Sequence, residues 1–134
     1  MCEEGDGGYP VCDIVEYACA EMERSDGHVD CGFLTDAAVG AVEWQAAHDC
    51  VLDAYAQRAG FMLTRNGAGE YQSALLGIAG SGYEVLDLRR DPDPEPHITM
   101  HWCTSLSEAP DCNVVPPAMC LDCPTTDDVA DLCP

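Results

Sequence analysis

The chain has 134 residues, of which 25 are Asp or Glu and five are Arg, with no lysine, so its formal net charge is −20. That charge excludes nucleic acid and anionic membrane surfaces as partners, while a hydrophobic fraction of 47% argues for a folded domain and against disorder. The length allows one domain, and no apolar run approaches the ~20 residues needed to span a bilayer.

Ten cysteines stand at positions 2, 12, 19, 31, 50, 103, 112, 120, 123 and 133. Zinc fits them poorly, because Cys120 and Cys123 form the one C-x-x-C pair and the four histidines are not at ligand spacing. The expectation is a disulfide framework, and with it an extracytoplasmic location: secreted, periplasmic or cell surface. Five cysteines precede the cysteine-free stretch 51–102 and five follow it, so complete pairing within the chain requires at least one bridge between the two ends. The acidic, apolar-poor start from Met1 to Asp6 does not read as a signal peptide. The chain is therefore read as a mature form whose export signal has been removed. The excess of carboxylates is read as solubility in a salty medium or compositional bias, ahead of deliberate cation binding.

In chain order, residues 1–33 form a cysteine-rich segment. Within it Val11 to Glu23 has Ile14, Val15, Ala18 and Met22 at helical spacing, with Cys12 and Cys19 on one side. Asp26-Gly27 breaks the pattern. Residues 34–103 are the expected core. A helix is predicted over Ala37–Ala59, with Thr35 or Asp36 as its N-cap and Gly60 as its stop. Trp44, Val51, Tyr55, Ala41, Leu52 and Ala59 gather on one side and Glu43, Asp49, Asp53 and Gln57 on the other. Four strands follow: Phe61–Arg65, ended by Asn66-Gly67; Tyr71–Ala79, ended by Gly80-Ser81-Gly82; Tyr83–Arg90, ended by the stiff spacer 91–96; and His97–Cys103. Leu86 and Leu88 oppose Val85, Asp87 and Arg89. Ile98, Met100 and Trp102 likewise oppose His97, Thr99 and His101. Residues 104–134, with Cys112, Pro116-Pro117, Cys120, Cys123 and Cys133, are predicted to be an irregular tail tied down by bridges.

The fold class expected is α+β: one long amphipathic helix on a four-stranded antiparallel sheet, between disulfide-stapled irregular ends. This element order over 35–103 resembles the cystatin-like arrangement, in topology alone. With its N-terminal cysteines, the Trp44 helix carrying Cys50, and Met119-Cys120-Leu121-Asp122-Cys123, the chain also looks like small uncharacterised exported or lipid-anchored cysteine-rich bacterial proteins. That likeness implies no particular activity.

The candidate sites follow from these placements. The open sheet face, with Asp87, Arg89, His97, Thr99 and His101, is the expected contact surface for a protein or small-molecule ligand. His97 and His101 lie ~13 Å apart on a strand, too far for one ion. His48 falls in the apolar stripe of the helix and reads as a partly buried histidine with a polar partner. Ser25–Asp30 has a faint likeness to a calcium loop, but Arg24 stands where such loops carry a carboxylate and Phe33 where the closing one belongs. Asp26 and Asp30 remain the calcium candidates. Cys120 and Cys123 read as structural, since Pro116, Pro117 and Pro124 flank them where a redox motif wants a helix start. Cys2 suits either a lipid anchor behind a flexible tether or an ordinary bridge. Gly80-Ser81-Gly82 lacks the frame of a nucleophile elbow, no paired carboxylates stand out from the acidic background, and no cofactor is implied. The leading reading is a non-enzymatic interaction or ligand-binding domain. The alternatives are a small disulfide-rich protease inhibitor, although the glutamine-valine-glycine wedge of cystatins is absent and only Tyr71-Gln72-Ser73-Ala74 occupies a hairpin strand, and a calcium-dependent structural protein.

Overall fold

Apolar spacing and local breakers set the elements of the chain, whose computed structural model describes residues 14–35, 41–66, 72–91, 97–108 and 121–131. Helix α1 (Ile14–Met22) buries Ile14, Ala18 and Met22, one residue per turn on a single face, and carries Glu16 in its first turn, where the helix dipole favours a carboxylate. Gly27, at φ 85°, then turns the chain into β1 (Val29–Thr35). Helix α2 (Ala41–Ala56) buries Trp44, Ala47, His48, Val51 and Ala54 and exposes Glu43, Asp49 and Asp53. Its end is a Schellman motif: the Ala59 N–H donates to Ala54 O at 2.8 Å and the Arg58 N–H to Tyr55 O at 3.1 Å.

After α2 come β2 (Phe61–Asn66), β3 (Gln72–Ala79), β4 (Tyr83–Asp91), β5 (His97–Cys103), the two-residue β6 (Ser107–Glu108) and β7 (Leu121–Asp122), and β8 (Thr125–Asp131). The main sheet has six strands in the order β1-β2-β3-β4-β5-β8. The β1–β2 pair is parallel and the other pairs are antiparallel; β6 and β7 make a separate ribbon. Parallel neighbours need a crossover, and α2 is that crossover.

Because side chains alternate along a strand, the two cores identify the two faces. Ile14, Ala18 and Met22 of α1 pack with Met62, Ala74, Leu76, Leu86, Leu88, Ile98 and Met100. Trp44, Ala47, Val51 and Ala54 of α2 pack with Phe61, Leu63, Leu75 and Val85, the intervening residues of the same strands. The helices therefore cover opposite faces of one sheet. On the α2 side, Gly77 leaves room for the Phe61 ring and the Tyr83 hydroxyl, both of which a Cβ there would strike. Tyr83 donates to Ala59 O at 3.0 Å, and burial pushes its hydroxyl up to about 12.

Two disulfides join these elements. Cys31–Cys50 ties β1 to α2 across 19 residues, and Cys103–Cys123 ties the end of β5 to the segment leading into β8 across 20. Cys19 is disulfide-bonded as well, to a cysteine outside the described residues.

Several expectations need correction. Thr35 is the last residue of β1, paired with Asn66; Asp36 and the predicted helix start lie outside the described residues. The described helix ends at Ala56, because Arg58, and not Gly60, turns the chain out of it in the left-handed conformation. Gly60 has a different use: a Cβ there would meet the Gly27 carbonyl. The four antiparallel strands are present as β2 to β5, but the sheet continues into β1 and β8 and α1 covers its second face. The C-terminal segment is not wholly irregular, since β8 pairs with β5.

Candidate functional site

The α2 face of the sheet changes character from one end to the other. α2 packs mainly over β1 and β2, and Leu106, Leu121 and Cys123 join the same core near Val85. Further along the strands the rows become polar. Pairing places Leu75, Asp87, His101 and Val129 side by side, then Arg65, Ser73, Arg89, Thr99 and Asp131, then Asp91 and His97. Residues two apart on a strand share a face, so Asp87 and Arg89 lie on the side of Val85, opposite Leu86 and Leu88. The five residues predicted for the contact surface are thus brought to one face, with Asp87 beside His101, Arg89 beside Thr99, and His97 at the rim beside Asp91.

Asp87 is the unusual member. It is only 8% exposed, although carboxylates are seldom buried unless paired. Its Oδ2 accepts from Arg89 Nε at 2.9 Å. Its Oδ1 is fully buried and has no hydrogen-bond partner among the described residues, an arrangement that costs about 1–3 kcal/mol or more for a charged group. The Arg89 side chain is 41% exposed, whereas that of Asp87 is 12% exposed.

His101 Nε2 lies 3.0 Å from Thr99 Oγ1. Burial, reinforced by the Arg89 guanidinium and opposed by Asp87, lowers the His101 pKa. The imidazole therefore stays neutral further into acid than an ordinary histidine. Its contribution to stability is full above the usual histidine range and is lost as pH falls through the lowered value. An imidazole, the Thr99 hydroxyl, a buried carboxylate and a half-exposed arginine together offer both hydrogen-bond donors and acceptors.

Arg65, Ser73 and Asp131 belong to these rows and were not anticipated. The alternation in β3 does place Ser73 with Leu75, but only the register of β2 and β8 shows that Arg65 and Asp131 share its row.

The remaining candidates are placed elsewhere. His48 is 2% exposed on the inner face of α2, with Nδ1 3.2 Å from Asp49 Oδ1, a packed histidine with a polar partner. Of the calcium candidates, Asp30 uses Oδ1 to accept from the Gly32 N–H at 2.9 Å, and the Asp26 N–H donates to Ala79 O. Ser25 ties the same loop to β3, where its Oγ accepts from the Ala79 N–H at 3.0 Å. Among the described residues no three His, Cys, Asp or Glu side chains converge as metal ligands. Cys123 is bonded to Cys103 and so is not paired with Cys120. Ser81 is in an exposed turn. Cys2, Cys12, Cys112, Cys120 and Cys133 lie outside the described residues. No described helix is long and apolar enough to cross a membrane.

Comparison with protein-family models, with curated proteins and with solved structures finds no match to this chain.

Proposed function

We propose that this chain is a non-enzymatic binding domain that works outside the cytoplasm and engages its ligand through the polar end of the α2 sheet face, at Asp87, Arg89, Thr99 and His101, with His97 at the rim. The observation that carries this reading is the buried, half-satisfied carboxylate of Asp87. A carboxyl oxygen shut away from water without a donor adds nothing to folding, and a ligand that supplies the donor removes the penalty. The disulfides support the location, because such bridges persist in oxidising compartments. They also hold the scaffold beneath the face, so that less order has to be imposed on binding.

The test is a ligand and partner screen of the intact chain beside the variants Asp87→Asn, Arg89→Gln, Thr99→Val and His101→Gln. Binding that weakens in these variants supports the reading. Binding that survives in all of them overturns it.

A further inference from the structure

Resting on the reading of this face as a binding surface, we propose that it takes the head group of a free α-amino acid, with the ammonium on Asp87 Oδ1 and the carboxylate on the Arg89 guanidinium.

The charges of the two rows select the ligand class. Asp87 Oδ1 is an anionic acceptor without a donor, in a residue that is 8% exposed. Within the same site Arg89 donates through Nε to Oδ2 at 2.9 Å, and its side chain is 41% exposed. A carboxylate and a guanidinium therefore stand two residues apart on one strand face. An α-amino acid carries an ammonium and a carboxylate on one carbon and matches both at once. The next row adds Arg65 and the hydroxyl of Ser73 on the carboxylate side, with Thr99 beyond Arg89.

Other charge types fit less well. A simple anion satisfies the guanidiniums, leaves Oδ1 without a donor, and meets the repulsion of a chain with net charge −20. A simple cation satisfies Oδ1 but meets Arg89 beside it. A zwitterion has no net charge for the long-range field to act on, and each of its ends finds an opposite charge. Shut off from solvent, the ammonium–carboxylate bond is stronger than the same contact at the surface. Oδ1 is closed off in the free chain, so the ammonium reaches it only as the Asp87–Arg89 contact rearranges.

The experiment is calorimetric titration of the full chain, disulfides intact, with each of the common free L-amino acids, with the N-acetyl and carboxamide derivatives of any that bind, and with acetate and methylammonium. The expected result is binding of free amino acids that weakens by roughly tenfold or more when either end of the ligand is blocked, and by as much in Asp87→Asn and in Arg89→Gln. Arg89→Gln, at a half-exposed position, carries the test on its own should Asp87→Asn fail to fold. The proposal is overturned if no free amino acid binds, if the blocked derivatives bind as well as the free ones, or if acetate alone does as well. Should some other ligand then prove sensitive to these substitutions, the binding face stands and the amino-acid assignment falls. Should no binding at all depend on them, both fall.

Discussion

Two residues occupy positions that their chemistry disfavours, for different reasons. Arg58 has φ 53°, a conformation that side chains with a Cβ adopt at a cost of about 1–2 kcal/mol. It is kept there by the Schellman hydrogen bonds and by a guanidinium 5.8 Å from the centre of the Tyr83 ring, a contact worth about 0.5–1 kcal/mol at an exposed site. Arg58→Gly relieves the strain and gives up the contact. Stability measured by urea unfolding is expected to rise by roughly 0.5–1 kcal/mol, and a fall would show that the ring contact dominates. Asp87 is compensated at one oxygen alone, Oδ2 by Arg89, and its Oδ1 has no donor among the described residues. Its placement on the face with Arg89, Thr99 and His101 was legible from the alternation of β4 and β5. Its burial was not, because that depends on Leu75 and His101 as cross-strand neighbours, and the pairing of distant strands leaves no mark in local sequence.

Legibility differs just as sharply among the elements. α1, α2 and β2 to β5 announce themselves by period, since their apolar residues recur at the spacing of a helix or a strand. β1 does not. Gly32, at φ 126° beside a shift of register between Asp30 and Gly32, interrupts its alternation, and its parallel partner is reached only through α2. β8 is hidden by composition: Thr125–Asp131 is mostly acidic and hydroxylated, as suits the edge of a sheet, where charge discourages pairing with other chains. The Cys31–Cys50 bridge binds the less regular β1 to the helix above it, with Cys31 9% exposed in the core around Trp44. Closing a loop of this length stabilises by about 3 kcal/mol through the unfolded state. The double variant Cys31→Ala, Cys50→Ala is expected to lose about that much in urea unfolding. A loss below roughly 1 kcal/mol would mean that β1 is held by pairing with β2 and by packing alone.

For the molecule as a whole, a sheet covered by one helix on each face gives a domain of this size two cores, and the polar end of one face is left outside them. The described bridges also sharpen the parity argument. With Cys31 joined to Cys50 and Cys103 to Cys123, three cysteines remain before the cysteine-free stretch and three after it. Complete pairing then still requires a covalent tie between the two ends of the chain. The two described bridges counter the self-repulsion of a strongly acidic chain by constraining its unfolded state.

The binding role of the polar face is tested most directly at Asp87. If its carboxylate is retained for a ligand, replacing it with an apolar side chain between Leu75 and His101 removes a buried, partly unsatisfied charge and leaves only the half-exposed Arg89 without its partner. Asp87→Leu, followed by urea unfolding with disulfides intact and no ligand present, is therefore expected to match or exceed the native chain in stability, by up to about 2 kcal/mol. A loss of roughly 2 kcal/mol or more would show that Asp87 holds the sheet together, and would contradict the account of this face as a binding surface.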